Sequence, residues 1–584
     1  MENHIAEKNG NTENTKNAEN TRNTGNTAKT GSTANIEAAF AETFRLIFGE
    51  CNLKMADLEE YLLKYQPKAQ TVTSYISGKQ VIISGAEYNK HAKFISHDEL
   101  DRRLPAQKKS EPLNINKLKD IDSIISAVSE QTVYCGNKIF GNSDFIEESD
   151  NITDSFFIKK SHIVHSSKYV AYCSYLHDNC EYTFGSSWSG KSKFLIRVMN
   201  ALDLVRSFEC YSSGIGADLF CTFNCLNCYD CMFSFNLKNK RHAIGNLELS
   251  REKYQELHKK LVTEAREYIE KHKNFPTIFE IPIKQALPAK QALLANQAPP
   301  ANQALPANQA RLTNQALPIN LPTLEQASTK KPYDFVPIET AWRTTARIVL
   351  GEEIGGLTAN RQYLSQKIRR TETIRTIYGN EVYYGDLFFF PAVPKNRMLT
   401  YEEATELSKL CLNENDLQSL ENIFDNLGKI AFFRINFEGG NIANNTKTAT
   451  AYNSINAYEV LDSTGSKNNA FCTMALESSH CFGSYRAVHC DFCIACHNCT
   501  NISRCLEMDC CTNCRDSMFC HNCENISDSM FCFNAKNLRY AIGNIEVGRE
   551  KYLAAKQAVL AQLRTRIKTA DKTPVKGIYE IGTL

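Results

Sequence analysis

Along two long stretches of the chain, every third residue is small or apolar and none is charged. In the second half the series runs from Ile442 to Leu538, with Cys, Ser and Ala dominating from Cys472 to Cys532. In the first half it runs from Phe140 to Leu176, slips by one residue, and resumes from Cys180 to Leu237. A period of three fits neither the 3.6 of an α-helix nor the 2 of a flat strand. A 3₁₀ helix is not sustained over such lengths, and a collagen helix needs Gly at every third place. The pattern predicts a solenoid with very short sides, each offering one inward residue.

A longer period sits on top of this one. Asp-Ser-Met-Phe-Cys recurs at 516–520 and 528–532, twelve residues apart, and Asn501, Asn513, Asn525 and Asn537 keep the same spacing. Twelve residues make one coil with four inward positions. A repeated Asn suits a corner, because it tolerates left-handed φ and its amide bonds to the next Asn in the stack. The expectation is a parallel β-helix of roughly eight coils in each half, rising about 4.8 Å per coil. A narrow bore accounts for the small inward side chains.

The two halves resemble each other at both ends. Phe233–Tyr254 matches Phe531–Tyr552 at 15 of 22 positions, and 36–50 is similar to 338–352. This pattern implies a tandem duplication. The fold class expected is mainly β with α+β accessory domains. Each copy would be an α+β domain, then a parallel β-helix of about 12 residues per coil, then a capping α-helix. The boundaries read as a disordered tail at 1–34 and an α+β domain at 35–138. The first β-helix spans 139–248 and its capping helix 249–283. A low-complexity linker occupies 284–332, on a repeated Gln-Ala-Leu-Pro-Ala-Asn theme whose prolines block helix. The second α+β domain is 333–438, the second β-helix 439–546, and the capping helix and tail 547–584. Within the α+β domains, helices are expected at about 37–48 and 339–350, ending near Gly49 and Gly351. Hairpins are expected to turn at Ser77-Gly78 and Gly379-Asn380. Further helices are expected within 113–130 and 417–430. The capping helices are read as 251–272 and 549–568, with Ser250 as an N-cap and Gly548 in the equivalent place.

Composition narrows the function classes. The net charge of +2 gives no signal for nucleic acid or anionic lipid. No run of 18 apolar residues predicts a membrane span. The start of the chain lacks a secretory signal, so a cytoplasmic location is expected. In that reducing compartment the 23 Cys read as thiols or metal ligands before disulfides.

Cys493, Cys496, Cys511, Cys514, Cys520 and Cys523 have the Cys-x-x-Cys spacing of zinc knuckles, with His489, His497 and His521 nearby. Zinc is therefore the alternative cofactor. Against it, Cys228 aligns with Ile526 and Cys231 with Ser529, substitutions a packing position accepts and a thiolate ligand does not. The preferred reading has no cofactor and treats the thiols as core. Asp218, Asp230, Asp516 and Asp528 recur at one coil position, the only pattern that suggests a polysaccharide-active enzyme; turn chemistry explains it as well. Five thiols fall outside the inward frame: Cys51, Cys135, Cys221, Cys411 and Cys510. The Gly-x-x-x-x-Gly-Lys-Ser run at 185–192 stays in the inward frame and lacks the flanking strand and helix of a phosphate loop.

The Cys-x-x-Cys series, continued by FNLKNKRHAIGNLELSREKY or FNAKNLRYAIGNIEVGREKY, resembles an uncharacterised family of cysteine-rich predicted β-helix proteins from uncultivated microbial lineages. That resemblance implies a fold and no activity. The coil pattern is superficially similar to the beetle antifreeze solenoid, but Phe-Cys-His and Asn-Cys-Thr replace its Thr-x-Thr array. No catalytic or cofactor-binding residue is assigned. The function expected is a non-catalytic structural scaffold or binding protein with a protein or glycan partner. Its two modules would be held by a tether that raises effective concentration at a bivalent target.

Overall fold

The computed structural model describes residues 27–84, 88–100, 121–129, 132–281, 332–386, 388–569 and 577–583. The protein is mainly β, built around parallel strands curled into a half-barrel. The first parallel ladder begins at Ile139–Phe140 and ends at Arg241–Ile244; the second begins at Phe437–Gly439 and ends at Arg539–Ile542. A short antiparallel strand terminates each, Leu247–Glu248 in the first and Ile545–Glu546 in the second. The linker reading at 284–332 falls almost wholly outside the described residues.

Pairing partners in both ladders lie mostly twelve residues apart, as in Lys168↔Phe156, Leu195↔Ser207 and Cys481↔Cys493. Every third position from Ser149 to Leu176, from Cys180 to Leu237, and from Thr448 to Ala535 is buried. Ile442, placed in the inward series by the sequence, is instead 39% exposed. It sits where the second ladder starts and its spacing is irregular: Phe437↔Thr450 are thirteen apart.

Left-handed residues make the corners. Positive φ recurs every three residues from Phe145 to Asp178 and from Asn179 to His242; from Phe145 to Tyr175 and from Asn179 to Asn236 it falls one place before the inward residue. The one-residue slip is absorbed by two consecutive left-handed residues, Asp178 (φ 54) and Asn179 (φ 62). Strands across it pair thirteen apart, as in Lys168↔Glu181. Left-handed backbone costs an L-residue roughly 1–2 kcal/mol. Stacking offsets that cost. Asn444, Asn456 and Asn468 form an amide ladder with 2.8 Å bonds, and Asn522 donates to Asn534 at 2.9 Å. Phe145, Phe157, Tyr169, Tyr182 and Phe194 stack as one column with ring centroids 4.6–5.0 Å apart. In the second ladder, one column breaks the rule. Thr450, Asp462, Met474 and Arg486 lack positive φ, and strands such as Tyr458–Thr464 and Ala470–Leu476 run straight through that corner.

Hydrogen bonding explains the inward residue types better than size alone. The inward backbone N–H often finds its acceptor on the inward side chain twelve residues earlier: Ser167 N–H on Ser155 Oγ (3.0 Å), Cys481 N–H on Asn469 Oδ1 (2.8 Å), Ser186 N–H on Cys173 Sγ (3.3 Å, thirteen earlier). The same side chains lie within donor reach of a carbonyl nine residues on. Ser466 Oγ reaches Ala475 O at 2.8 Å, and Cys472 Sγ reaches Cys481 O at 3.3 Å. Buried backbone amides need partners, so Ser, Cys and Asn are favoured here for chemistry as well as volume.

The accessory elements largely match the sequence. Hairpins pair Gln70–Thr73 with Gln80–Ile83 and Thr371–Arg375 with Glu381–Gly385; Gly78 (φ 74) and Gly379 (φ 89) take the turn conformation. Helices run Arg251–His272 and Arg549–Lys568, and Ser250 Oγ caps Lys253 N–H at 3.2 Å. The helices expected within 113–130 and 417–430 are Ile121–Ser129 and Leu420–Asn426; residues 101–120 lie outside the described residues. The helix expected at about 37–48 is longer, Thr27–Phe48, and so takes in the last part of the 1–34 segment, whose residues 1–26 lie outside the described residues. Its N-terminal end is held by the ladder: Thr33 Oγ1 donates to Glu147 Oε2 at 2.9 Å.

Each half closes the end of the other's ladder. Asn236 Nδ2 donates to Phe432 O at 2.8 Å, and Asn534 Nδ2 donates to Val133 O at 2.8 Å. Leu412 N–H donates to Gly245 O (2.9 Å), and Asn246 Nδ2 reaches Leu410 O (3.0 Å). Both of the largest apolar clusters mix residues of the two halves, for example Phe279 with Phe433 and Tyr134 with Tyr579. The tether reading is therefore corrected: packed halves are not free to engage two targets independently.

Candidate functional site

A cleft of about 940 Å³ opens between the two ladders. One wall is formed by first-ladder residues such as Leu202, Asn224, Leu226 and Leu247. The other is formed by Phe437, Thr450, Asp462 and Leu476, with Tyr401 and Ser408 from the accessory segment at one end. The straightened column of the second ladder supplies Thr450 and Asp462.

Two charged side chains are buried in this lining. Asp462 is 1% exposed and accepts from Trp188 Nε1 at 2.7 Å and from Thr464 Oγ1 at 2.9 Å. Burial pushes its carboxyl up to about 7. Arg434 is 5% exposed. Its Nε donates to Asn436 O at 2.8 Å, and its guanidinium carbon lies 4.8 Å from the Tyr401 ring centre and 5.3 Å from that of Phe437. Burial pulls it down to about 10. It forms no direct ion pair among the described residues, Glu438 and Glu402 acting on its charge from farther off, and its buried Nη2 has no hydrogen-bond partner there. Thr450 Oγ1 and Asn224 Oδ1, in the same lining, are also buried without partners. A buried polar atom left unpaired costs about 1–3 kcal/mol. Three such atoms belong to residues that line this one cleft.

The residues singled out by the sequence lie elsewhere. Cys493, Cys496, Cys511, Cys514, Cys520 and Cys523 are all buried inside the second ladder. Each thiol lies against the carbonyl two residues back or nine ahead; Cys511 Sγ, for example, is 3.3 Å from Asp509 O and 3.4 Å from Cys520 O. Among the described residues, no group of three or more His, Cys, Asp or Glu is arranged to hold a metal ion. The thiols reach carbonyls along the bore and also one another: Cys511, for example, faces the thiols of Cys499, Cys514 and Cys523. Burial pushes Cys180, Cys210 and Cys472 up to about 12. Burial acts on Cys523 as well, but hydrogen bonds from Cys511 and Cys520 outweigh it and move that thiol the other way. Outside the bore, Cys135, Cys221 and Cys510 are buried, Cys51 is half-buried and Cys411 is exposed.

The recurring aspartates are corner residues. Asp218 and Asp516 take φ of 57° and 53° and pair with the arginine twelve residues before, Arg206 and Arg504, each through two bonds of 2.6–2.7 Å. Asp230 and Asp528 are likewise left-handed. The run at 185–192 begins at a corner, Gly185 (φ 64), and continues as strands Ser187–Gly190 and Lys193–Ile196, with no helix after it.

Neither Arg434 nor Asp462 stood out in the sequence. Arg434 is one charged residue in an apolar run (Phe432, Phe433, Ile435) and Asp462 one in a mixed strand, and the partner surface is some two hundred residues away. Comparison of the chain with protein-family profiles, with curated proteins and with solved structures finds no match.

Proposed function

We propose that the protein is a non-catalytic binding protein whose ligand seats in the cleft between two β-helices of twelve-residue coils, the products of a tandem duplication. The observation that carries the binding reading is the cleft itself, with unpartnered buried polar atoms in both walls. The duplication is supported by contacts that repeat about 300 residues apart. Glu37 caps Met55 N–H as Glu339 caps Leu357 N–H, and Lys64–Glu280 recurs as Lys367–Glu580. Membership of the cysteine-rich predicted β-helix family and a cytoplasmic location complete the proposal; a bore lined with free thiols suits a reducing compartment. No helix among the described residues is long and apolar enough to cross a membrane.

A ligand screen of the full chain tests this reading. Saccharides, peptides, organic acids and amines are scored by the rise in melting temperature, beside a Thr405→Trp variant that fills the cleft from its exposed rim. At least one class is expected to stabilise the natural protein and not the variant. A screen in which no class does so removes the reading, and stoichiometric, tightly held zinc in the purified protein would replace it.

A further inference from the structure

The binding reading leaves the ligand's chemistry open, and the cleft lining narrows it. Arg434 is the deepest basic group there. Its guanidinium lies near the rings of Tyr401 and Phe437 and its Nε is bound to a carbonyl, which leaves Nη2 as the buried donor without a partner. A guanidinium edge prefers a planar oxyanion, which it meets with two parallel N–H···O bonds. Burying such a cation with only the more distant Glu438 and Glu402 to balance it is unfavourable, and an entering anion in direct contact offsets that.

The remaining lining limits the ligand's charge. Five basic side chains, including Lys191, Lys238 and Arg434, are balanced by five acidic ones, including Asp178, Glu438 and Glu477. A polyphosphate would meet as many repelling as attracting groups. A single negative charge placed on Arg434 avoids that. The apolar lining, with Leu202, Leu226, Leu237 and Leu476, then needs an apolar body to cover. Thr450 adds a donor close by: its backbone pairs with Phe437, whose ring lies against Arg434, and its hydroxyl is unpartnered.

Resting on the binding-protein reading, we infer that the cleft takes a monocarboxylate carried on an apolar body, its carboxylate seated on Arg434. The carboxylate is either that of a free aliphatic acid or the C-terminus of an apolar peptide. The two sources share the recognised group and differ in the body attached to it.

Calorimetry on the full chain separates the outcomes. The probes are octanoate, octanol, a tetrapeptide ending in Phe-Leu with a free C-terminus, and the same peptide amidated. Octanoate or the free peptide is expected to bind at least tenfold more tightly than its neutral counterpart, and whichever does so identifies the source. Arg434→Gln is expected to weaken that binding tenfold or more, the loss of a charge-assisted pair. Because Arg434 is buried, Thr450→Val provides a second, nearly isosteric variant, expected to weaken binding about threefold to tenfold through the loss of one hydrogen bond. Circular dichroism melts confirm that each variant is folded. Equal affinity for acid and neutral probes, or unchanged affinity in folded Arg434→Gln and Thr450→Val, overturns the inference. If neutral probes bind as well as acids, the binding-protein reading survives without it. If no probe binds, the inference falls alone, because the wider ligand screen decides the binding reading separately.

Discussion

From Ser149 to Val170 the first ladder alternates serine with isoleucine or valine at its inward positions, whereas the second uses cysteine at most of them between Cys472 and Cys532. The two bores make the same bonds, to a carbonyl nine residues on and from an amide about twelve on. Ser and Cys thus act as one kind of part. Outside the bore the ladders differ more. In the second part of the first, Arg197 and Glu209 form a fully buried ion pair at 3.0 Å, and Phe223, Phe279, Phe389 and Phe433 pack as rings. At the matching place in the second, Ala495 stands where Arg197 would be. Asp509 there accepts from Tyr88 (3.0 Å) and Tyr579 (2.9 Å) and pairs with His521 Nδ1 (2.7 Å). Cys135 N–H donates to His521 Nε2 at 2.9 Å. One geometry holds either an apolar cluster or a saturated polar network. The apolar form tolerates change in proportion to volume; the polar form fails when any one partner leaves.

The strongest way to break the comparison is Arg197→Met. It strands Glu209 without a counterion and is expected to cost about 3–5 kcal/mol in urea unfolding; a loss under about 1 kcal/mol would mean the pair is not buried as described. Asp509→Ala is expected to cost about 2–4 kcal/mol, since His521, Tyr88 and Tyr579 lose their common acceptor. It should also change the acid limb. Burial alone would raise the Asp509 carboxyl, but its His521 partner holds it well below the usual range. Its contribution is therefore present above the unfolded carboxyl's titration near pH 4 and is lost as pH falls below it. The variant should lack that part of the acid-induced loss in a pH series of melts. Cys472→Val removes the thiol that meets Cys481 O and is expected to cost about 2 kcal/mol, whereas Cys472→Ser should stay within about 0.5 kcal/mol. Equal losses in the two would reduce the thiols to space-filling. Glu507→Gln has the opposite sign and the smallest size. Burial raises the Glu507 carboxyl and outweighs the opposing pull of Lys367, while Ala495 stands where the first ladder has an arginine. The unfolded chain ionises first, so stability falls as pH rises through the ordinary carboxylate range. The variant should be more stable by about 1 kcal/mol at pH 7 and flatter over that window.

Much of the ladder was legible because one residue in three cannot be charged when it faces a narrow bore. Even the slip between Leu176 and Cys180 is visible as a change of frame, and it coincides with the doubled corner at Asp178 and Asn179. The corners themselves were less legible. Asn marks some, but Phe145, Tyr169, Lys191 and Arg206 are also left-handed, where side-chain stacking and ion pairs override intrinsic preference. The cleft was not legible at all. It is formed by packing one ladder against the other, and no local spacing encodes that Trp188 will meet Asp462. The six Cys-x-x-Cys thiols show the converse: metal-ligand spacing and inward-facing spacing coincide at three residues, and only side-chain direction separates them.

The reciprocal closure of the ladder ends bears on biogenesis. The terminal rung at Asn236 and Asn246 leaves the ribosome well before residues 408–432, which cover it, have been made. Until then the nascent first half presents open strand edges to its surroundings, where other chains can pair with them. Translation speed across 282–331 and protection by a holding chaperone thus become determinants of yield. A fragment ending before Tyr333 should accumulate as aggregate, even though every residue of its own ladder is intact.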